Sequence, residues 1–264
     1  MMHWTGVIAL NLGLSLLCYG KRLLSASGSV SGFFIGSAIG LSLGWQGWMI
    51  LLFFFFGGTA ASFFKKGKKE KRGVAQADQG RRRWNHAWAN AGCGVLCAMA
   101  SAWFYSQCRY DVAEALRWAF VACFAAALSD TLSSEFGQLA DQEPRLITNF
   151  KKVPHGTDGG ITRAGMLMGI LGAALLTLLG RFLLLVPVRA TLPVLLAGVS
   201  GNLLDSFLGA TLQRKGYLNN DTVNFSNTLG GAFLGYFGYW FMQALPAWLA
   251  EAGITHVGIL RLFI

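Results

Sequence analysis

Long apolar stretches broken by short polar ones run through nearly the whole chain. A helix crossing a bilayer needs roughly 20 apolar residues, and eight stretches meet or approach that length. They predict spans at Trp4–Gly20, Ser29–Leu43, Trp45–Phe64, Trp84–Tyr105, Glu114–Ser129, Ile161–Val186, Leu192–Leu212 and Val223–Leu245. The second is short and glycine-rich, with small residues suited to close helix contact, and a re-entrant segment is the alternative for it. The sixth is expected to stop before Pro187 and the eighth before Pro246. The tail, Glu251 to Ile264, is expected to lie along the interface or to form a partial span. At the other end, Lys21 and Arg22 follow the first apolar stretch. A cleaved leader carries its positive charge ahead of its apolar core, so this stretch reads as a retained span.

Composition sharpens the picture. Only 13% of the 264 residues are charged and 54% are hydrophobic, against roughly 25% charged in soluble domains. The expected fold is all-α, a polytopic membrane helix bundle, forming one membrane domain over residues 1–264. A basic loop at 65–83 and a motif-bearing loop at 131–160 interrupt it. The net charge of +10 is unevenly spread. Lys65, Lys66, Lys68, Lys69, Lys71, Arg72, Arg81, Arg82 and Arg83 share one loop. With eight spans, only Arg109, Arg117, Arg181, Arg189 and Arg261 of the 22 Lys and Arg fall on the opposite side. Such a bias puts the basic face in the cytoplasm. It suits contact with acidic membrane lipids; no nucleic-acid partner is expected. The five cysteines form no CxxC pair and the four histidines are dispersed. Neither a disulfide framework nor a zinc site is expected; the cysteines read as small membrane-core residues.

Polar groups at a membrane boundary are costly, so their clustering asks for a reason. The densest cluster runs from Ser129 to Gly160. On a helix Asp130 shares a face with Ser133 and Ser134, and Thr131 with Glu135. Carboxylates with neighbouring hydroxyls suit magnesium, which takes one or two of them together with substrate phosphates. Lys151 and Lys152 precede Gly156, Thr157, Asp158, Gly159 and Gly160, which open the sixth span. Glycine backbones and a helix start can cradle phosphate. The order of residues is not that of a P-loop. A second cluster, Asn202, Asp205, Ser206, Gly209 and Gln213, forms one helical stripe, with Asp205 inside the seventh span. Asn220, Asp221, Asn224, Asn227 and Thr228 follow. Arg81, Arg82, Arg83, Asn85, His86 and Asn90 open the fourth span. Structural alternatives exist for each group: a capped helix end, polar contacts between helices, or topogenic arginines.

Asp130, Thr131, Ser134, Glu135, Gly137, then Pro144, Arg145, Leu146, Ile147 and Thr148 form a pattern that resembles a known membrane family. So do Lys151, Lys152, Val153, Pro154, Gly156, Thr157, Gly159, Gly160 and Thr162. The family is that of transmembrane protein 19, also called domain of unknown function 92, which includes the plant phytyl-phosphate kinase. It is distantly similar to CTP-using membrane enzymes such as dolichol kinase and phosphatidate cytidylyltransferase. The resemblance implies transfer of a terminal phosphoryl group from a nucleoside triphosphate, with CTP favoured, to an isoprenoid monophosphate such as phytyl or geranylgeranyl phosphate.

In that setting Asp130, Glu135 and Asp205 are the expected Mg²⁺ ligands. Lys151 and Lys152 join Asp130 and Asp205 as catalytic candidates. Thr131, Ser134, Gly156, Thr157, Gly159 and Gly160 are expected at the phosphates, with Arg145 or Arg83 on the acceptor. Asn90, Ser206, Gln213, Asn220 and Asn224 are further polar candidates. The alternatives are a CTP-dependent lipid cytidylyltransferase, a transporter using Asp130 and Asp205 as coupling sites, and a non-catalytic scaffold. Composition leaves the oligomeric state open.

Overall fold

A computed structural model describes residues 4–74 and 81–251, the last six by backbone alone. Eight α-helices and one two-stranded sheet make up the described fold. Helix α1 is Trp4–Gly20, α2 Ala26–Phe63, α3 Lys66–Lys71 and α4 Trp84–Ser106. Helix α5 is Tyr110–Gly137, α6 Arg163–Phe182, α7 Thr191–Leu208 and α8 Asn220–Glu251. Five of these helices, α2, α4, α5, α6 and α7 with its flanking turns, are long and apolar enough to cross a membrane. The chain is an integral membrane helix bundle.

Helix α2 is two spans, not one. Gly44 breaks it with φ 67° and ψ −160°, a conformation open to glycine and costly to other residues. A continuous helix would hold Gly28 and Gly58 roughly 45 Å apart. Both instead press on one residue, Arg82: a Cβ at Gly28 would lie 2.2 Å from its carbonyl, and one at Gly58 2.6 Å from its guanidinium. The chain therefore doubles back at Gly44, between Leu43 and Trp45 where the apolar pattern divides. Counting both halves of α2, α1 and α8, the described bundle has eight long helical segments.

Helix α5 sits at the centre and packs against α2, α4, α6, α7 and α8. Every residue from Trp118 to Ser129 is buried. Its alanines let neighbouring backbones approach, and glycines on those neighbours complete the fit. A Cβ on Gly172 would lie 3.0 Å from the Leu128 carbonyl, and one on Gly235 2.6 Å from Ala122. Close packing of small residues is how membrane helices associate when lipid removes the hydrophobic drive between them. The outer faces of the bundle carry exposed Leu, Phe and Trp, the surface expected against lipid chains.

Helix ends differ from the sequence reading in several places, three of which bear on the site and the topology. Helix α5 runs on to Gly137, so residues 131–137 are helical and the motif-bearing loop begins only at Gln138. Helix α6 ends at Phe182, short of Pro187, because Leu184 turns into the left-handed region at φ 58°. Helix α8 passes through Pro246 to Glu251. The expectation for the tail lies beyond Glu251, outside the described residues. Among the cysteines, four are buried and Cys108 is exposed; all five are free.

The basic loop is also partly structured. Lys65 enters α3 through a left-handed turn (φ 48°). Lys68 and Arg72 then clamp the loop after α5: Arg72 donates to the carbonyls of Gln138 and Ala140 at 2.7 Å, and both side chains pair with Asp141. Beyond it, Arg145–Leu146 pairs antiparallel with Gly160–Ile161. That pairing folds the motif-bearing loop back over the ends of α5 and α7.

Candidate active site

A polar cavity of ≈ 420 Å³ opens at this end of the bundle. The last turns of α5 supply Asp130, Thr131, Ser133, Ser134 and Glu135, and the last turn of α7 supplies Asp205 and Ser206. A π-helical turn, Gly209–Gln213, follows and brings Gln213 in. The start of α8 adds Asn220 and Asn224, and the start of α4 adds His86 and Asn90. The loop from His155 to Thr162 closes one wall. Apolar packing of α5 against α6, α7 and α8 thus places side chains far apart in sequence around one space.

Asp130 and Asp205 meet in it, their carboxyl groups close enough to interact directly. Asp205 keeps a buried Oδ2 with no hydrogen-bond partner among the described residues. A buried acceptor left unpaired is costly, and two facing carboxylates repel when both are ionised, a repulsion that a shared proton or a bound cation relieves. No cluster of three or more His, Cys, Asp and Glu suited to a metal occurs among the described residues. A closed protein cage is therefore lacking there. Two carboxylates facing a roomy polar cavity do fit a hard ion such as Mg²⁺, which takes one or two and leaves the rest to substrate oxygens.

Glu135 is committed elsewhere. It is buried, paired with the buried Lys69, and accepts from Ser62 Oγ at 2.9 Å. Lys69 also donates to the carbonyls of Ala61 and Ser62, at 2.8 and 3.2 Å. A carboxylate neutralised this way is a poor Mg²⁺ ligand. Glu135 was expected as a metal ligand; the structure places it in the ion pair with Lys69, where it anchors the strap formed by α3. Lys69, read in sequence as one of nine equivalent loop charges, is a structural cation.

The glycine turn uses backbone conformations that favour glycine. Gly156 (φ 84°) and Gly159 (φ 73°) both lie in the left-handed region. Gly159 also abuts Ala210, where an added Cβ would come within 2.4 Å of the alanine side chain. The amides of Gly156, Asp158 and Gly159 donate to no group among the described residues, the requirement for an anion-binding nest. Thr162 caps α6, accepting from Gly165 N–H at 3.0 Å. Asp158 stands beside the nest; partial burial pushes its carboxyl pKa up, and Arg214 pulls it back.

Four expected basic residues stand outside the cavity lining. Arg145 is exposed and donates to the Phe150 carbonyl at 2.8 Å. Lys151 is exposed, and Lys152 pairs with Glu143 at 2.7 Å. Arg83 is exposed at the start of α4. Arg81 and Arg82 do line the cavity, beside the imidazoles of His86 and His155. Arg82 is held by its backbone, which pairs with Leu23–Ser25 in the α1–α2 turn. Its guanidinium lies over the rings of Phe54 and Phe55, at 5.3 and 5.7 Å. The glycines at 28 and 58 that admit it were the available signal. His86 faces Asp221 at 3.2 Å.

Fold and site together define a class: a polytopic helical membrane protein with an acid pair and a glycine turn facing one polar cavity. The chain belongs to the family of integral membrane proteins called DUF92, whose model matches residues 9–232. It is 38% identical to an uncharacterized membrane protein of Methanocaldococcus jannaschii, over 63% of this chain and 66% of that one. It is 34% identical to the chloroplastic protein VTE6 of Arabidopsis thaliana, over 88% of this chain and 70% of the relative. Protein PGR of the same plant is 32% identical over 75% of each. No solved structure matches.

Proposed function

We propose that this protein is an integral membrane prenyl-phosphate kinase. It moves the terminal phosphoryl group of a nucleoside triphosphate, CTP favoured, onto an isoprenoid monophosphate, with the basic face in the cytoplasm. The observation that carries the reading is the meeting of Asp130 and Asp205 opposite the Gly156–Gly160 turn. The resemblance carried by the Asp130–Thr162 motif, with membership of the DUF92 family, supports a role close to isoprenoid metabolism.

In this reading Asp130 and Asp205 hold Mg²⁺, which supplies charge neutralisation at the donor phosphates. The free amides of the glycine turn hold phosphate oxygens. Arg82 and Arg81 face them from α4's side of the cavity and offset the negative charge of two phosphorylated substrates. The acceptor phosphate is already an anionic nucleophile, so no strong general base is required. A site at the edge of the bundle lets a water-borne nucleotide and a membrane-bound acceptor meet.

The test is purified protein in nanodiscs with Mg²⁺, a panel of nucleotides, and phytyl and geranylgeranyl monophosphate. Prenyl diphosphate formed together with the nucleoside diphosphate supports the proposal. Release of pyrophosphate with a CDP-linked lipid would replace it by cytidylyl transfer. Turnover of no nucleotide under any of these conditions would remove it.

A further inference from the structure

An apolar cleft of ≈ 80 Å³ lies beside the acid cavity, between α1, both halves of α2 and the start of α4. The two spaces share Arg82, His86 and Asn90 in their walls. We infer that this cleft seats the head-proximal part of the hydrocarbon tail of a lipid monophosphate whose phosphate enters the acid cavity at Arg82. The inference deepens the kinase reading and rests on it for the identity of the acceptor.

Three observations place a tail here. The walls are apolar, built from residues such as Leu14, Ile35, Leu51, Leu52 and Ala91. Lipid tail carbons gain contact there without leaving a polar group unpaired. The junction with the cavity is amphipathic: Arg82 presents a cation on the faces of Phe54 and Phe55. A phosphoester sits with its charge on the guanidinium and its first carbons against the rings.

The third observation is the changing separation of α1 and α2. At Gly36 and Gly40 they touch: added Cβ atoms would lie 2.2 Å from Asn11 Oδ1 and 2.7 Å from Val7. The Asn11–Trp48 hydrogen bond, 2.8 Å, closes this level as a floor. One turn nearer Arg82, at Gly32, a Cβ would find its nearest neighbour, Leu24, at 3.6 Å. Helix contact does not demand glycine at 32: a methyl there would meet Leu24 at ordinary contact distance, and a longer side chain would reach into the cleft that Gly32 lines. The cleft is too small to enclose a long isoprenoid. It grips the first carbons, and the rest of the tail runs out along the bundle into lipid.

The test uses full-length protein in nanodiscs and a prenyl monophosphate bearing a diazirine in its first isoprene unit. Cross-links are mapped by mass spectrometry with and without excess geranylgeranyl monophosphate. We expect competable labelling of α1, α2 and α4 around Leu14, Leu51 and Ala91. Gly32→Leu should remove that labelling. It should also raise KM for geranylgeranyl phosphate about tenfold, the value of roughly two methylenes' burial. KM for dimethylallyl phosphate, which is that first unit alone, should rise by a comparable factor. Gly32→Ala, whose methyl meets Leu24 only at ordinary contact distance, should lower the labelling less than Gly32→Leu, and the thermal melt of each variant reports its folding. Labelling on α6 or α7, or labelling that survives in a folded Gly32→Leu protein, overturns the tail site while leaving kinase turnover intact. Labelling at the cleft with no phosphoryl transfer in wild type upholds the tail site and sinks the kinase.

Discussion

Lys69 and Glu135, separated by 66 positions, form an ion pair whose side chains are 1% and 3% exposed. The pair joins a short helix in the basic loop to the last turns of the central helix, next to the acid cavity. With the Lys68 and Arg72 contacts to the loop after α5, it makes the α3 strap part of the bundle.

Breaking that pair from one side removes the opposite charge from a buried carboxylate. Lys69→Met should destabilise the protein by about 3–5 kcal/mol, followed by unfolding in detergent. Lys69→Met combined with Glu135→Leu should recover most of the loss. A double variant no better than the single one would mean that the loss comes from Lys69's bonds to the Ala61 and Ser62 carbonyls and not from the ion pair.

Neutralising the acid pair separates chemistry from folding. Asp130→Asn and Asp205→Asn should each abolish transfer and leave a monodisperse protein, because each removes a repulsion and keeps the shape. With wild type, Mg²⁺ at about 100 times its Kd should stabilise by about 2.7 kcal/mol. Neither variant should show that response in a thermal melt. Near-normal turnover by either would end its role.

The cations inside and outside the cavity should differ in weight. Arg82→Ala is expected to lower kcat/KM by about 10²–10³, the range for losing a preorganised charge donor. Lys152→Ala loses an exposed pair with Glu143, the kind worth up to about 1 kcal/mol, so less than about fivefold in rate. Steady-state kinetics on the two variants, with Lys151→Ala alongside, orders them. A larger loss at Lys152 would return the glycine turn's lysines to the phosphates.

Gly159→Ala places a side chain at positive φ and against Ala210. The left-handed conformation alone costs about 1–2 kcal/mol. We expect faster amide exchange across 156–160 and a matching fall in activity, with the transmembrane helices unchanged.

Asp141 should make the strap acid-sensitive. Lys68, then Arg72, hold its pKa below the usual carboxylate range. Its contribution is present above the unfolded pKa and is lost as pH falls through the depressed folded value. Exchange protection of residues 66–72, corrected for intrinsic rates, should fall on acidification below about pH 4. Asp141→Asn should show the low-pH level already at pH 7, and high salt should weaken the contrast.

Much of this was readable along the chain. Apolar length defines spans, and the division between Leu43 and Trp45 anticipated the reversal at Gly44. Asp130 and Asp205 stood out because a charge among membrane helices is costly. Gly156 and Gly159 stood out because few residues tolerate such backbone. The basic loop was different: nine like residues carry no mark of which one will be buried. Lys69 and Arg82 were chosen by packing, by Glu135 waiting in the bundle and by the room left at Gly28 and Gly58.

The amino-acid order by itself determined which segments are apolar, where they break, and that acids, hydroxyls and glycines crowd one end. Those are local properties, set by each residue's solvation and backbone freedom. Only the tertiary structure decided that Asp130 faces Asp205, that Glu135 is neutralised by Lys69, and that Arg82 rather than Lys151 borders the cavity. These depend on how α5 is surrounded, and helix packing is settled by contacts between residues that sequence separates.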